Sequence, residues 1–175
     1  MKILHISNFV QKHNGRLNWN HSFKINNGLI RNGHNVCIFS DRDISRQNPL
    51  NKINNNKYLN RLLLATFKNY NPDLVILGHA DKVNNETLDK FKFYNKNIKI
   101  IEWNVDNYYL DKTEKKLTKR TNFIDAFFIT NAHKDLTSCL NSKNSISFFP
   151  NIFDRSIENQ KIFNNSNYDL SLIHI

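Results

Sequence analysis

Three short stretches of this chain carry side chains suited to chemistry. In Asn14-Gly15-Arg16 the glycine lets backbone amides come close to an anion, and the arginine offers a charged fork. The same residues also read as a simple turn. His79 directly follows Gly78 at the end of an apolar run. An imidazole changes protonation near working pH and can hydrogen-bond or transfer a proton, although a loop histidine with no role fits the same position. The third stretch is Glu102-Trp103-Asn104-Val105-Asp106-Asn107. Here Asn104, Asp106 and Asn107 offer carboxamide and carboxylate groups that pair with sugar hydroxyls, and the Trp103 face can stack on a pyranose. Asp106 alternatively caps the helix that follows.

Other chemistries are disfavoured. The only cysteines, Cys37 and Cys139, lie far apart in apolar surroundings, so buried thiols are expected rather than a zinc cluster or disulfide framework, and no metal is expected. The glycines Gly15, Gly28, Gly33 and Gly78 form no G-x-G-x-x-G, which weighs against a dinucleotide oxidoreductase even though Asp41 stands where a ribose-binding acid would. A net charge of +10 favours anionic partners without selecting among them. Lys112, Lys115, Lys116 and Lys119 recur at helical spacing opposite Leu110 and Leu117, giving either a solvated face or one that attracts anionic lipid or a phosphorylated acceptor. The aromatic residues fall mostly in strands, so no stacking platform for single-stranded nucleic acid is expected. No apolar run approaches the roughly 18 to 20 residues of a membrane span, and the start is too short for a secretory signal. The expected location is cytoplasmic.

The candidate residues need a scaffold that brings them together. Ile3 to Ile6 reads as a buried strand, Asn20 to Asn32 as a helix whose apolar residues include Phe23, Leu29 and Ile30, with Gly33 as its cap, and Val36 to Phe39 as a second strand. Asp41 to Lys57 is polar, contains Pro49 and reads as an irregular excursion. A helix over Tyr58 to Tyr70, ended by Asn71-Pro72-Asp73, precedes a strand at Leu74 to Leu77. Then follow a helix from Glu86 to Phe93, a strand from Ile98 to Trp103, a helix from Tyr108 to Thr121 and a strand at Ala126 to Thr130. A short helix around Leu136 to Leu140 leads to a sixth strand at Ile146 to Phe149. Apolar strands alternating with helices predict a Rossmann-like, doubly wound and mostly parallel open sheet of about six strands with helices on both faces. In such a sheet Gly15, His79, Asn104 and Asp106 should converge beyond the carboxyl ends of the strands.

Three passages carry a family resemblance. Asn27-Gly28-Leu29-Ile30-Arg31-Asn32-Gly33-His34-Asn35-Val36-Cys37-Ile38-Phe39 resembles the passage joining the first helix to the second strand in GT-B glycosyltransferases. Asn71-Pro72-Asp73-Leu74-Val75-Ile76 is similar to the entry of that family's third strand, and Phe149-Pro150-Asn151-Ile152-Phe153-Asp154 to the signature closing its N-terminal domain. They occur in the family's order, closest to its family-4-like and spore-maturation-like members.

The resemblance implies an acceptor-side domain over residues 1–155, a linker over 156–167 and the start of a truncated second domain at 168–175. It implies sugar transfer from a nucleotide-sugar co-substrate to a saccharide, lipid-linked or protein acceptor, with no cofactor and with peripheral contact to the inner membrane. His79 would assist the reacting sugar from the interdomain cleft, and the loop of Asn14, Gly15 and Arg16 would approach the acceptor. The fragment alone is expected to be inactive. The alternative is a non-catalytic Rossmann-like module that binds an anionic ligand or nucleic acid.

Overall fold

The computed structural model describes residues 1–47, 56–106, 118–130, 141 and 143–158. Six strands, β1 (Lys2–Ser7), β2 (Asn35–Ser40), β3 (Leu74–Gly78), β4 (Lys99–Asn104), β5 (Ala126–Ile129) and β6 (Ser145–Phe148), form one sheet in the order β2-β1-β3-β4-β5-β6. Every pairing is parallel. All six carboxyl ends therefore share one edge. After β2 the chain returns to the other side of β1, so the strand order reverses between β1 and β3. Such a reversal opens a crevice at the carboxyl edge of an open sheet.

Alternation along the strands divides the interior into two layers. Leu4, Ile6, Val75, Leu77 and Ile100 pack under α3 (Lys57–Tyr70) and α4 (Asn85–Tyr94), which bury Leu59, Leu63, Phe67, Leu88 and Phe91. Ile3, Ile76 and Trp103 face the other way, against Ile25 and Leu29 of α1 (His21–Arg31). Helices thus cover both faces, as the unbroken apolar character of β3 requires.

Local sequence sets the boundaries. Asn20 caps α1 by accepting the amide of Phe23 at 3.2 Å, and Gly33 reverses the chain at φ 78°. Asn71 takes the left-handed conformation after α3, before Pro72 bars continuation of the helix.

Four sequence expectations are corrected. Residues 41–47 form a helix, α2 (Asp41–Gln47), rather than the start of an irregular excursion. Asp41 and Asp43 occupy its first turn, where carboxylates suit the helix dipole, and Ile44 packs on the core. The strand ending at Trp103 runs on to Asn104. In α1, Ile30 is exposed, while Ser22 and Asn26 are buried. Cys37 is half-buried on β2, the strand at one edge of the sheet, rather than fully enclosed. Residues 118–120 are helical; the expected helix upstream of them, the short helix at Leu136 to Leu140, and Cys139 lie outside the described residues.

The segment after β6 turns back onto α1. Asp154 is fully buried and accepts from Asn27 Nδ2 at 2.9 Å and from the amide and hydroxyl of Ser156, while Arg31 lies 3.0 Å away. Burial alone would raise its pKa, but these donors hold it well below the usual carboxylate range. Lys24 meets Glu158 at 2.5 Å. Lys24, Asn27 and Arg31 stand at spacings of three and four, one stripe of the helix. Residues 156–158, read as the start of a linker, are thus held against α1; the rest of 156–167 and all of 168–175 lie outside the described residues.

Candidate functional site

A cleft of about 260 Å³ opens at the carboxyl edge where the strand order reverses, and Asn8, Val10, His21, Arg42, His79 and Asp106 are among the residues lining it. Each comes from just beyond a strand or from the first turn of a helix. Asn8 and Val10 follow β1, Arg42 follows β2, His79 follows β3 and Asp106 follows β4.

Gly78 and Trp103 build the floor. They are register partners on β3 and β4. A Cβ at Gly78 would lie 2.1 Å from the Trp103 ring, so only glycine lets the indole cross this strand. Beyond it, Trp103 Nε1 donates to His5 Nε2 on β1 at 3.4 Å. Burial pushes His5 down to about 4, with Asn26 as its opposing partner, so the ring is a neutral acceptor. Ser7 Oγ lies 2.7 Å from the Gly78 carbonyl oxygen and 2.7 Å from Ser22 Oγ, joining β1, β3 and α1 below the cleft.

His79 leaves this floor with φ 49°, a left-handed conformation that histidine tolerates better than most residues. Its ring meets Trp103 edge-on at 5.6 Å, and its Nδ1 lies 3.4 Å from Asp106 Oδ2. Asn104 Oδ1 accepts the Asp106 amide at 2.7 Å, fixing the turn that presents this carboxylate. The pairing orients the imidazole, a group able to donate or accept a proton at its ring nitrogens. The His79 side chain is 21% exposed and that of Asp106 53%, so the pair sits at a wall open to solvent.

The first turn of α1 enters the same cleft through Asn20, His21 and Ser22, and its dipole adds positive potential. Burial, and then Lys24, lowers the pKa of His21. Across the cleft, Arg42 grips Asp81 Oδ2 through Nε at 3.1 Å and a terminal nitrogen at 2.6 Å. Asp41 beside it is buried and pushed up to about 6, by burial first and then against the bonds it accepts, with Asp81 adding repulsion.

The predicted site residues separate into two groups. His79 and Asp106 come together. Asn104 is 2% exposed and acts from beneath, through its bond to Asp106, rather than as a contact surface. Trp103 is 4% exposed and engaged with its neighbours, which leaves little face for a pyranose. Glu102 points into the opposite layer and pairs with buried Arg120 at 3.1 Å. Asn107 and the lysines at 112, 115 and 116 lie outside the described residues, while Lys119 is exposed.

Asn14, Gly15 and Arg16 form the tip of the loop after β1. Asn14 and Gly15 are left-handed, and the amides of Asn14 and Arg16 bond Gln11 and His13 carbonyls. Those two amides are therefore spent on turns rather than offered to an anion. Gly15 borders a separate depression, and Asn14 and Arg16 are exposed on the same edge.

Arg42, His21 and Asn8 were not singled out from sequence. The signal was their place directly beyond a strand or at a helix start, and for Arg42 it was hidden by reading its helix as irregular. Among the described residues there is no group of three or more metal-ligating side chains and no helix long and apolar enough to cross a membrane. No family model and no curated protein sequence matches the chain.

Proposed function

We propose that this chain is the acceptor-side domain of a GT-B glycosyltransferase, working in sugar transfer from a nucleotide-sugar donor. The observation that carries the proposal is the His79–Asp106 pair, set over the Trp103 floor at the reversal point of a parallel sheet. A carboxylate-oriented imidazole can hydrogen-bond a sugar hydroxyl or exchange its proton, and the amides of Asn8 and Asn20 suit further hydroxyls. The order of the three resembling passages along the chain supports the same assignment. In this family the nucleotide is held mainly by a second domain, so the 175 residues alone should turn over no nucleotide sugar.

The proposal is tested by amide chemical-shift mapping of the chain with methyl glucoside and with a panel of nucleotide sugars, alongside a turnover assay. Saccharide-induced shifts at Asn8, His79 and Asp106 without turnover are the expected outcome. Turnover by the chain alone, or saccharide shifts confined to another surface, would overturn the assignment. The second reading, a non-catalytic module for an anionic ligand, draws on the α1 terminus and Arg42 in the cleft. It would be preferred if inorganic phosphate shifted these amides and saccharides did not.

A further inference from the structure

Beside the polar cleft, the loop between β1 and α1 encloses a second depression of about 230 Å³, whose lining includes Phe9, Val10, Gly15, Leu17 and Phe23. Its base is apolar: Phe9 is 1% exposed and meets Phe23 edge-to-face at 5.2 Å. Val10 lines both hollows, so one residue stands between them.

That residue is held at a cost. Val10 has φ 49°, and a β-branched residue in the left-handed region is a backbone outlier, whereas the asparagines at 14, 56 and 71 adopt it readily. Strain of this kind persists where surrounding contacts over-determine the backbone, and it gathers at ligand sites. The contacts are present. Ser40 Oγ accepts the Phe9 amide at 3.1 Å, and Asp43 accepts the amides of Gln11 at 3.0 Å and Lys12 at 3.4 Å. The depression is thus fixed to the sheet before any ligand arrives.

We infer that this depression receives an apolar tail, alkyl or prenyl, of the molecule whose saccharide occupies the His79–Asp106 cleft, so that the acceptor is an amphiphile. The inference rests on the cleft's role as acceptor site. A hollow floored by phenylalanines offers a saccharide few hydrogen bonds, whereas each methylene buried there gains transfer free energy. A ligand crossing Val10 would place its tail on Phe9 and Phe23 and its sugar beside His79.

The experiment titrates methyl, butyl, hexyl and octyl glucosides, each below its micellar concentration, and octanol into isotopically labelled full chain. Affinity should rise about fourfold per added methylene until the hollow is filled. Shifts at Gly15, Leu17 and Phe23 should grow with tail length, and those at His79 and Asp106 should appear with every glucoside. Leu17→Asn, at a half-buried loop position with little risk to folding, should flatten the length dependence and leave methyl glucoside binding unchanged. Methyl glucoside bound at the cleft with no gain from longer tails would overturn this inference and leave the cleft assignment standing. A length dependence unchanged in Leu17→Asn, or no binding by any member, would also overturn it. Octanol binding as tightly as octyl glucoside, with His79 and Asp106 silent, would overturn both.

Discussion

At His79 the left-handed backbone decides which substitution is informative, because alanine would add a conformational cost unrelated to chemistry. Asparagine tolerates that conformation and removes the imidazole. In an enzyme completed by a nucleotide-sugar-binding domain, His79→Asn should lower the rate by about 10²- to 10⁴-fold. Unfolding free energy should move by less than about 1 kcal/mol, since the side chain is a cleft wall rather than core. A full-rate variant would remove His79 from the chemistry. Val10 gives the converse case: Val10→Asn relieves a strained conformation and should stabilise the chain by about 1 kcal/mol in denaturant unfolding. Lower stability would mean that Val10 packing outweighs its strain.

Among the elements, β3 and β4 leave no room for a side chain at one register pair, where Gly78 lies against the Trp103 ring. Gly78→Ala drives a methyl group into the Trp103 ring, and overpacking of this severity should cost about 2 to 4 kcal/mol in denaturant unfolding. Paired with Trp103→Leu the cost should shrink, because the clash loses its second partner. Additive effects would place the strain elsewhere. The strands themselves were legible because runs such as Leu74-Val75-Ile76-Leu77 have no other way to be buried on both faces. The short helix α2 was not, since its buried face consists of Asp41 and Asp43, which accept loop amides, and Ser45, which donates to Asn56 Oδ1, rather than of an apolar stripe. For the same reason His79 and Asp106 could be proposed from their places after strands, whereas the inward turn of Asn104 and Trp103 depends on register, which the sequence does not print.

Across the whole molecule, two buried groups set opposing pH slopes. Asp41 goes from 3.8 to about 6 on folding, so between these values the native state keeps a proton that the unfolded chain has released, and stability falls as pH rises. His5 goes from 6.5 to about 4, so the unfolded chain holds the extra proton and stability rises with pH over nearly the same interval. Their contributions largely cancel. Asp41→Asn should therefore expose the His5 slope, up to about 1.4 kcal/mol per pH unit, and stabilise the chain at neutral pH by up to about 3 kcal/mol. Chemical denaturation at several pH values measures both. A variant no more stable than the parent at neutral pH would show that the Asp41 carboxylate carries no burial cost.

The clasp around Asp154 has a mechanical consequence. The helix that it grips through Asn27 and Arg31 is the same rigid rod whose first turn, at Asn20, His21 and Ser22, enters the cleft. A load applied to the backbone at residue 158 is borne by α1 as shear along one stripe, and a slight rotation of that rod is delivered at its far end as a displacement of the cleft wall. Asp154 and the binding edge are thus joined through one helix.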